Sequence, residues 1–179
     1  FNIDGLGKKV IEQFWDLKLI KEPSDIFELR YEKIKKLEGW GNLSINNLKK
    51  AIINSQTITL DKFIYSIGIR HIGQENAKIL AGFFGSINEF SKLFNLKIRK
   101  KLLNNLVDLD GIGKTQIESI ESFFLNEINT KITKNLINKL NIKNYSMMNI
   151  SGKFSNKKIM FTGGFEKMSR SEAKSITEN

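Results

Sequence analysis

The chain has 179 residues, 40% of them hydrophobic and 10% aromatic, which is enough to fill a core and excludes a disordered composition. Its formal net charge of +10 favours an anionic partner such as nucleic acid. It has no Cys and one His, which excludes disulfides and Cys-based zinc sites within the chain and argues against a His-based metal or acid–base site.

A five-residue pattern occurs four times, and each copy ends in Gly. A copy has an apolar residue, two mostly polar residues, a second apolar residue and the closing Gly. We name the copies turns 1 to 4; they are residues 3–7, 37–41, 69–73 and 109–113. Their closing glycines are 34, 32 and 40 residues apart, and apolar residues at helical spacing follow each one. The pattern predicts an internal repeat of helix–hairpin–helix type.

A glycine turn that leads into a helix predicts a phosphate site. Gly lets the backbone approach a ligand, and the first N–H groups of a helix have no partner within it. The helix N-terminus also carries partial positive charge, which favours an anion. The candidate donors are the amides of each closing Gly and of the two residues after it. The predicted DNA-binding residues are Gly5, Leu6, Gly7, Lys8 and Lys9; Gly39, Trp40, Gly41 and Asn42; Arg70, His71, Ile72, Gly73 and Gln74; and Gly111, Ile112, Gly113, Lys114 and Thr115.

The four turns differ in charge. Turns 1 and 4 are followed directly by Lys8 and Lys114, and we predict that they bind phosphate most strongly. Turn 2 is followed by Asn42, and turn 3 has His71 where the other turns have Gly, so whether these two turns contact DNA stays open. Glu75, close behind turn 3, either repels phosphate or caps its helix.

The apolar residue inside each turn either anchors the turn or touches the DNA groove. We predict anchoring for Leu6, Ile72 and Ile112, and Trp40 stays open between the two roles. The basic run at residues 99–101 is either a further DNA contact or a solvated helix face.

The apolar residues after each turn are predicted to form the core. They are Val10, Ile11, Phe14, Leu17 and Ile20; Leu43, Leu48, Ile52 and Ile53; Ala77, Leu80, Ala81 and Phe84; and Ile117, Ile120, Phe123 and Phe124. Short connecting helices are predicted to begin at the N-caps Ser24, Thr59 and Ser86, and Pro23 marks a joint. The predicted fold is mainly α, with four tandem helix–hairpin–helix motifs in a compact bundle. Turns 1 and 2 would form one pair, and turns 3 and 4 the other.

The pattern changes near residue 150. Residues 158–162 predict a short strand, Gly163-Gly164 ends it, and a capping box from Ser169 to Glu172 opens a helix. A strand, a Gly turn and a helix begin an α/β unit, but the remaining residues are too few to complete one. We therefore predict a helix–hairpin–helix DNA-binding domain at 1–149 and the N-terminal part of a truncated α/β domain at 150–179.

No group of residues in the sequence is arranged for catalysis. Asp4-Gly5 and Asp110-Gly111 are similar to the end of a Lys-x-Asp-Gly nucleotidyl-transfer motif, but Asn2 and Asp108 stand at the Lys position. No apolar run approaches the ~18 residues of a membrane span, and no signal peptide is visible. No heptad pattern demands a dimer, so we expect a monomer. A start at Phe1 predicts a piece of a longer protein.

The order of these motifs resembles the C-terminal half of bacterial NAD-dependent DNA ligases. Residues 1–7 look like the segment that follows that family's four-Cys zinc finger, and residues 63–73 are similar to its third hairpin, which is the most specific match. Residues 157–165 and 168–173 resemble the first strand and helix of a BRCT domain, so the resemblance covers essentially the whole chain.

The resemblance implies a segment of an enzyme that seals single-strand nicks in duplex DNA during replication and repair. Such an enzyme uses NAD to form an enzyme–AMP adduct, transfers AMP to the 5′ phosphate and closes the phosphodiester bond with Mg²⁺. Its adenylation, OB-fold and zinc-finger domains would lie before Phe1. This chain alone would then bind none of NAD, Mg²⁺ and Zn²⁺ and would not ligate. It would contact minor-groove phosphates of nicked DNA in the bacterial cytoplasm, at the nucleoid.

Two other interpretations of the repeat stay open. Tandem hairpins also occur in excision-repair nucleases and junction-binding proteins, which bind DNA without ligase chemistry. A helical protein-interaction module, in which the glycines serve only packing, belongs to a different class. Such a module would tolerate changes at Lys8, Lys9 and Lys114, and its binding would not depend on phosphate.

Overall fold

The computed structural model describes residues 1–146, which are mainly helical. The helices in this range are α1 Lys8–Asp16, α2 Tyr31–Ile34, α3 Asn42–Ser55, α4 Leu60–Ser66, α5 Gln74–Phe84, α6 Ile87–Ser91, α7 Leu96–Leu106, α8 Lys114–Leu125 and α9 Glu127–Lys139. Residues Pro23–Glu28 and Lys92–Phe94 form 3-10 helices. Two short strands, β1 Thr57–Thr59 and β2 Asn141–Lys143, pair in parallel. The α/β segment predicted for 150–179 lies outside the described residues.

Two hydrophobic clusters divide the four turns into pairs. The smaller cluster contains Leu6 of turn 1 and buried residues of α1 and α3, and Trp40 of turn 2 packs against it. The larger cluster runs from Ile58 to Leu136 and contains Ile72 of turn 3 and Ile112 of turn 4. Turns 1 and 2 therefore share one core and turns 3 and 4 share the other, which is the pairing predicted from the sequence.

Contacts between α9 and the first 3-10 helix join the two clusters. The Asn135 side-chain amide donates to Glu22 Oε1 at 2.6 Å, and Lys139 forms an ion pair with Glu28. Phe27 packs against both clusters. These contacts link residues more than a hundred positions apart in the chain.

Several apolar residues predicted to be in the core are exposed, and that prediction was wrong for Ile11, Leu17, Leu43 and Ile53. Leu43, the second residue of α3, is 74% exposed. Ile53 follows the buried Ile52, and consecutive helical residues point about 100° apart, so both cannot face one core. Leu17 lies beyond the end of α1. In the same four segments Phe14, Leu48, Ala77, Leu80, Ile120 and Phe124 are among those buried as predicted.

The three predicted N-caps have different outcomes. Ser86 caps α6, and its hydroxyl accepts from the Glu89 amide at 3.3 Å. Thr59 precedes α4 but makes no side-chain capping bond. The prediction of Ser24 as an N-cap was wrong, because the 3-10 helix already begins at Pro23, whose fixed φ suits a first helical position.

Candidate nucleic-acid interface

The four turns have one backbone geometry. In each turn the amide of the fourth residue donates to the carbonyl of the first, at 3.1, 3.2, 3.1 and 3.0 Å in turns 1 to 4. The third residue is left-handed in all four, with φ of +80° at Gly5, +81° at Gly39, +61° at His71 and +88° at Gly111. A positive φ at this position is typical of a type II β-turn and favours Gly. His is one of the residue types that tolerate this region.

Each closing glycine is the N-cap of the following helix, as predicted. These glycines are extended, with φ between −75° and −101°, a conformation open to any residue. A Cβ added at Gly7 or Gly41 would meet no atom within 4 Å. The fold itself therefore does not require Gly at these two positions, whereas the close approach of a ligand to the backbone would.

The apolar residues inside the turns anchor them. Leu6, Ile72 and Ile112 are buried, as predicted for anchoring. Trp40 is half-buried, its ring centroid lies 5.4 Å from that of Phe14, and its indole N–H donates to the Gln13 side chain at 3.4 Å. Burial leaves the side chains of the first three residues no surface for DNA, so only their backbone can belong to an interface.

Two of the predicted phosphate donors already have acceptors. The Gly73 amide donates to Asn76 Oδ1 at 3.3 Å, and the Gly113 amide donates to Gln116 Oε1 at 3.1 Å. Within the described residues, no acceptor is found for the amides of Gly7 and Gly41. The same holds for the first residue of each following helix, namely Lys8, Asn42, Gln74 and Lys114. Turns 1 and 2 thus each have one more backbone amide without an acceptor than turns 3 and 4 have.

Asn76 connects turns 3 and 4 and was missed in the sequence. Besides accepting from Gly73, its side chain donates to the Gly111 carbonyl at 2.8 Å, 35 residues away. Asn76 and Gln116 both occupy the third position of a helix, where a polar side chain can reach back to the N-cap. That spacing was visible in the sequence, but the bond to Gly111 was not.

Charged side chains surround the turns at the protein surface. Lys8 and Lys114 have side chains that are 89% exposed, and each lies 3.8 Å from a Glu four residues later in its helix. Exposed pairs of this kind contribute little stability, so the ammonium groups are free to move to another anion. Arg70 and His71 of turn 3 are exposed and line a groove of about 550 Å³ together with Thr115. Turn 3 and the start of α8 therefore line the same groove.

The basic run at residues 99–101 divides into one buried and two exposed residues. Arg99 is only 3% exposed, and its Nη1 donates to the carbonyls of Leu93 at 3.1 Å and Phe124 at 2.9 Å. Carbonyls at helix ends have no hydrogen-bond donor within the helix, and here the guanidinium is the donor. Arg99 is therefore structural, and only Lys100 and Lys101 reach the surface.

No group of three or more acidic or His side chains in residues 1–146 is placed to hold a metal ion. In the same range, none of the helices combines the length and the apolar character needed to cross a bilayer.

Comparisons with known proteins agree with the geometry of the turns. Residues 62–133 match the family described as "Helix-hairpin-helix motif", a range that includes turns 3 and 4. The chain is 49% identical over 178 residues to a DNA ligase of Pelagibacter ubique, and the match covers 99% of the chain and 26% of that protein. It is 40% identical to a DNA ligase of Rickettsia prowazekii and 45% identical to one of Wolbachia pipientis, covering 27% of each. The chain thus spans about a quarter of the length of the curated relatives it matches.

Proposed function

We propose, on the premise that this chain is homologous over its whole length to about one quarter of a DNA ligase, that it binds backbone phosphates of duplex DNA. Its four turns would be four helix–hairpin–helix motifs. The observation that supports this most directly is the shared geometry of the turns: one backbone hydrogen bond, one left-handed residue and one extended glycine before a helix.

The proposed contact is made by the backbone. A phosphate oxygen placed beyond the closing Gly can accept from the open amides at the helix start, where the helix dipole also favours negative charge. A Cβ at Gly7 or Gly41 would project into space that no protein atom occupies, and in the complex the phosphate would fill that space. Such contacts recognise the sugar–phosphate backbone and not the base sequence.

The positions of the lysines support an anionic ligand. Lys8 and Lys114 are the first residues of their helices, where positive charge opposes the helix dipole at a cost of about 0.3–1 kcal/mol each. A phosphate bound at the same helix end would attract the lysine and offset that cost. The net charge of +10 adds long-range attraction for DNA.

The activity of the whole enzyme is a further part of the proposal. The parent protein would seal nicks in replication and repair, using NAD to adenylate the 5′ phosphate, with Mg²⁺ for the chemistry and Zn²⁺ for a structural finger. The residues of this chain fit neither the zinc finger nor the adenylated lysine, because it has no Cys and carries Asn2 and Asp108 where that lysine would stand. The adenylation, OB-fold and zinc-finger domains would supply those sites.

The proposal also covers the domains, the oligomeric state and the location of the protein. We propose that residues 1–149 form the DNA-binding domain, that residues 150–179 begin a BRCT domain, and that the protein acts as a monomer on nicked DNA in the bacterial cytoplasm. A match of residues 62–133 to the helix–hairpin–helix family supports the first of these directly for turns 3 and 4.

The test is binding of the chain to a fluorescent nicked duplex over a salt series. If four to eight phosphates are neutralised, log K should fall with log salt with a slope of roughly −4 to −7. The variant Lys8→Gln with Lys114→Gln should flatten the slope by roughly 2. Weak binding that does not respond to salt would contradict the proposal and favour a protein-interaction module.

A further inference from the structure

A second cationic site lies at the end of α1 opposite turn 1, on residues that precede turn 2. A cleft of about 380 Å³ opens where α1 ends and is lined by Lys18, Lys21, Arg30 and Lys33, together with Asp25 and Glu28. The nine residues of α1 separate turn 1 from this cleft by about 14 Å at 1.5 Å per residue. The cleft is therefore not part of the phosphate site proposed for turn 1.

The two acids in the cleft have partners of their own. Asp25 Oδ2 accepts from the backbone amides of Lys21 at 2.7 Å and Glu22 at 3.1 Å. Glu28 forms an ion pair with Lys139. Neither carboxylate is within ion-pair distance of a cation lining the cleft.

The four cations have no such partners. Lys18, Lys21, Arg30 and Lys33 are exposed, and in the part of the chain that the structure describes they form no salt bridge. Four positive side chains and two carboxylates leave the lining of the cleft with an excess of positive charge, which an anion would offset. The negative end of the α1 dipole favours a cation at Lys18, just past the helix C-terminus. It does not account for the positive charges of the other three residues.

The backbone at Lys18 adds a second observation. Its φ is +55°, a left-handed conformation that is uncommon for residues other than Gly, Asn and Asp. Its amide donates to the Trp15 carbonyl at 2.9 Å, which fixes the chain as it leaves α1. Helices commonly end with Gly at this place, so the sequence carries a cation where the backbone alone would prefer Gly.

We propose that this cleft binds phosphate groups, and that in the DNA complex these are backbone phosphates beyond those bound by the turns. The inference rests on the proposed DNA-binding function. Arg30 offers a planar fork suited to phosphate oxygens, and the lysines offer point charges. Leu19 is the one apolar side chain in the lining, and a protein partner would need a larger apolar centre than that.

The experiment compares two variants with the same change in net charge. The cleft variant combines Lys18→Gln, Arg30→Gln and Lys33→Gln. The matched control combines Lys97→Gln, Lys131→Gln and Lys134→Gln, which are exposed residues of α7 and α9. Each is titrated with a nicked duplex over a salt series, and circular dichroism checks that both are folded.

We expect the salt slope to flatten by roughly 2 in the cleft variant and by less than about 1 in the control. Equal slopes in the two variants would overturn the proposal, while a flattened slope in the Lys8 and Lys114 variant would leave the function of the turns intact. If the wild-type chain shows no salt-dependent binding, both proposals fail.

A second titration distinguishes the source of the phosphate. Inorganic tripolyphosphate is added to the wild-type chain and to the cleft variant without DNA. Tripolyphosphate that binds the wild-type chain more tightly or at one more site than the cleft variant, whose turns are unchanged, together with a flattened duplex slope in the cleft variant, supports the proposal. Tripolyphosphate binding at the cleft with an unchanged duplex slope would assign the cleft to a free polyphosphate and overturn the DNA contact.

Discussion

Replacing the left-handed glycine of turn 4 should destabilise the protein more than replacing that of turn 2. Gly39 and Gly111 have nearly the same φ, +81° and +88°. A Cβ at Gly39 would meet nothing within 4 Å, whereas a Cβ at Gly111 would lie 2.6 Å from Ile79 Cδ1. Gly39→Ala therefore measures the backbone term alone, and Gly111→Ala measures that term together with a collision between turn 4 and α5.

The two contributions have separate magnitudes. A residue with a Cβ in the left-handed region costs about 1–2 kcal/mol, which is the loss expected for Gly39→Ala. Ile79 Cδ1 is the end of a partly buried side chain that can rotate away from the new Cβ, at the cost of a strained rotamer. Such a rotamer costs about 0.5–1.5 kcal/mol, so Gly111→Ala should lose about 1.5–3.5 kcal/mol.

Urea unfolding followed by circular dichroism measures both losses. Ile79→Val removes the colliding methyl group and supplies a double-mutant cycle. Alone it should cost about 0.5–1.5 kcal/mol, but in the Gly111→Ala background it should be neutral or stabilising. Equal losses for the two Gly→Ala variants, or an Ile79→Val cost that is the same in both backgrounds, would refute the packing of turn 4 against α5.

Three further predictions concern residues that the sequence alone did not explain. Arg99→Met should lose about 1–3 kcal/mol in urea unfolding, because it leaves the Leu93 carbonyl without its side-chain donor and removes one of two donors to the Phe124 carbonyl; Lys100→Met on the exposed face should stay within about 0.5 kcal/mol, and similar losses would contradict the structural role. Asn76→Ala should cost about 1–2 kcal/mol, because it breaks the bond to Gly111 and the cap of α5; an unchanged urea midpoint would contradict the bridge. Burial raises the pKa of Tyr31 above the usual 10.0, so the unfolded chain loses this proton first and stability falls as pH rises above about 10. Absorbance titration should give a phenol signal that Tyr31→Phe removes, and a Tyr31 pKa at or below the usual value would refute the burial.

The local features of this fold could be predicted from the sequence because they depend on neighbouring residues. The four turns and the helices that follow them begin where the closing glycines stand. The pairing of turns also followed from their order. Side chains whose position depends on distant residues could not be predicted: the acceptors of Arg99 lie 6 and 25 residues away.

The exposed leucine at the start of α3 illustrates a second limit. Helical spacing indicates which residues share a face, but not how far the neighbouring element extends to cover it. Leu43 lies in the first turn of α3, next to turn 2, and remains 74% exposed. The pairing of β1 with β2 joins residues 84 positions apart, such as Ile58 and Ile142, and no local pattern indicates it.

The most direct test of phosphate capture by the turns adds side chains at two glycines that the fold does not need. Gly7→Val and Gly41→Val leave the backbone in an extended conformation that Val prefers, and a Cβ at either site meets no protein atom. Val is a poorer N-cap than Gly, so the double variant should lose about 1–2 kcal/mol in urea unfolding and remain folded. Its affinity for a nicked duplex should fall by about tenfold or more, which corresponds to about 1.4 kcal/mol or more, with a flatter salt slope. A folded double variant that binds the duplex as tightly as the wild type would contradict the account.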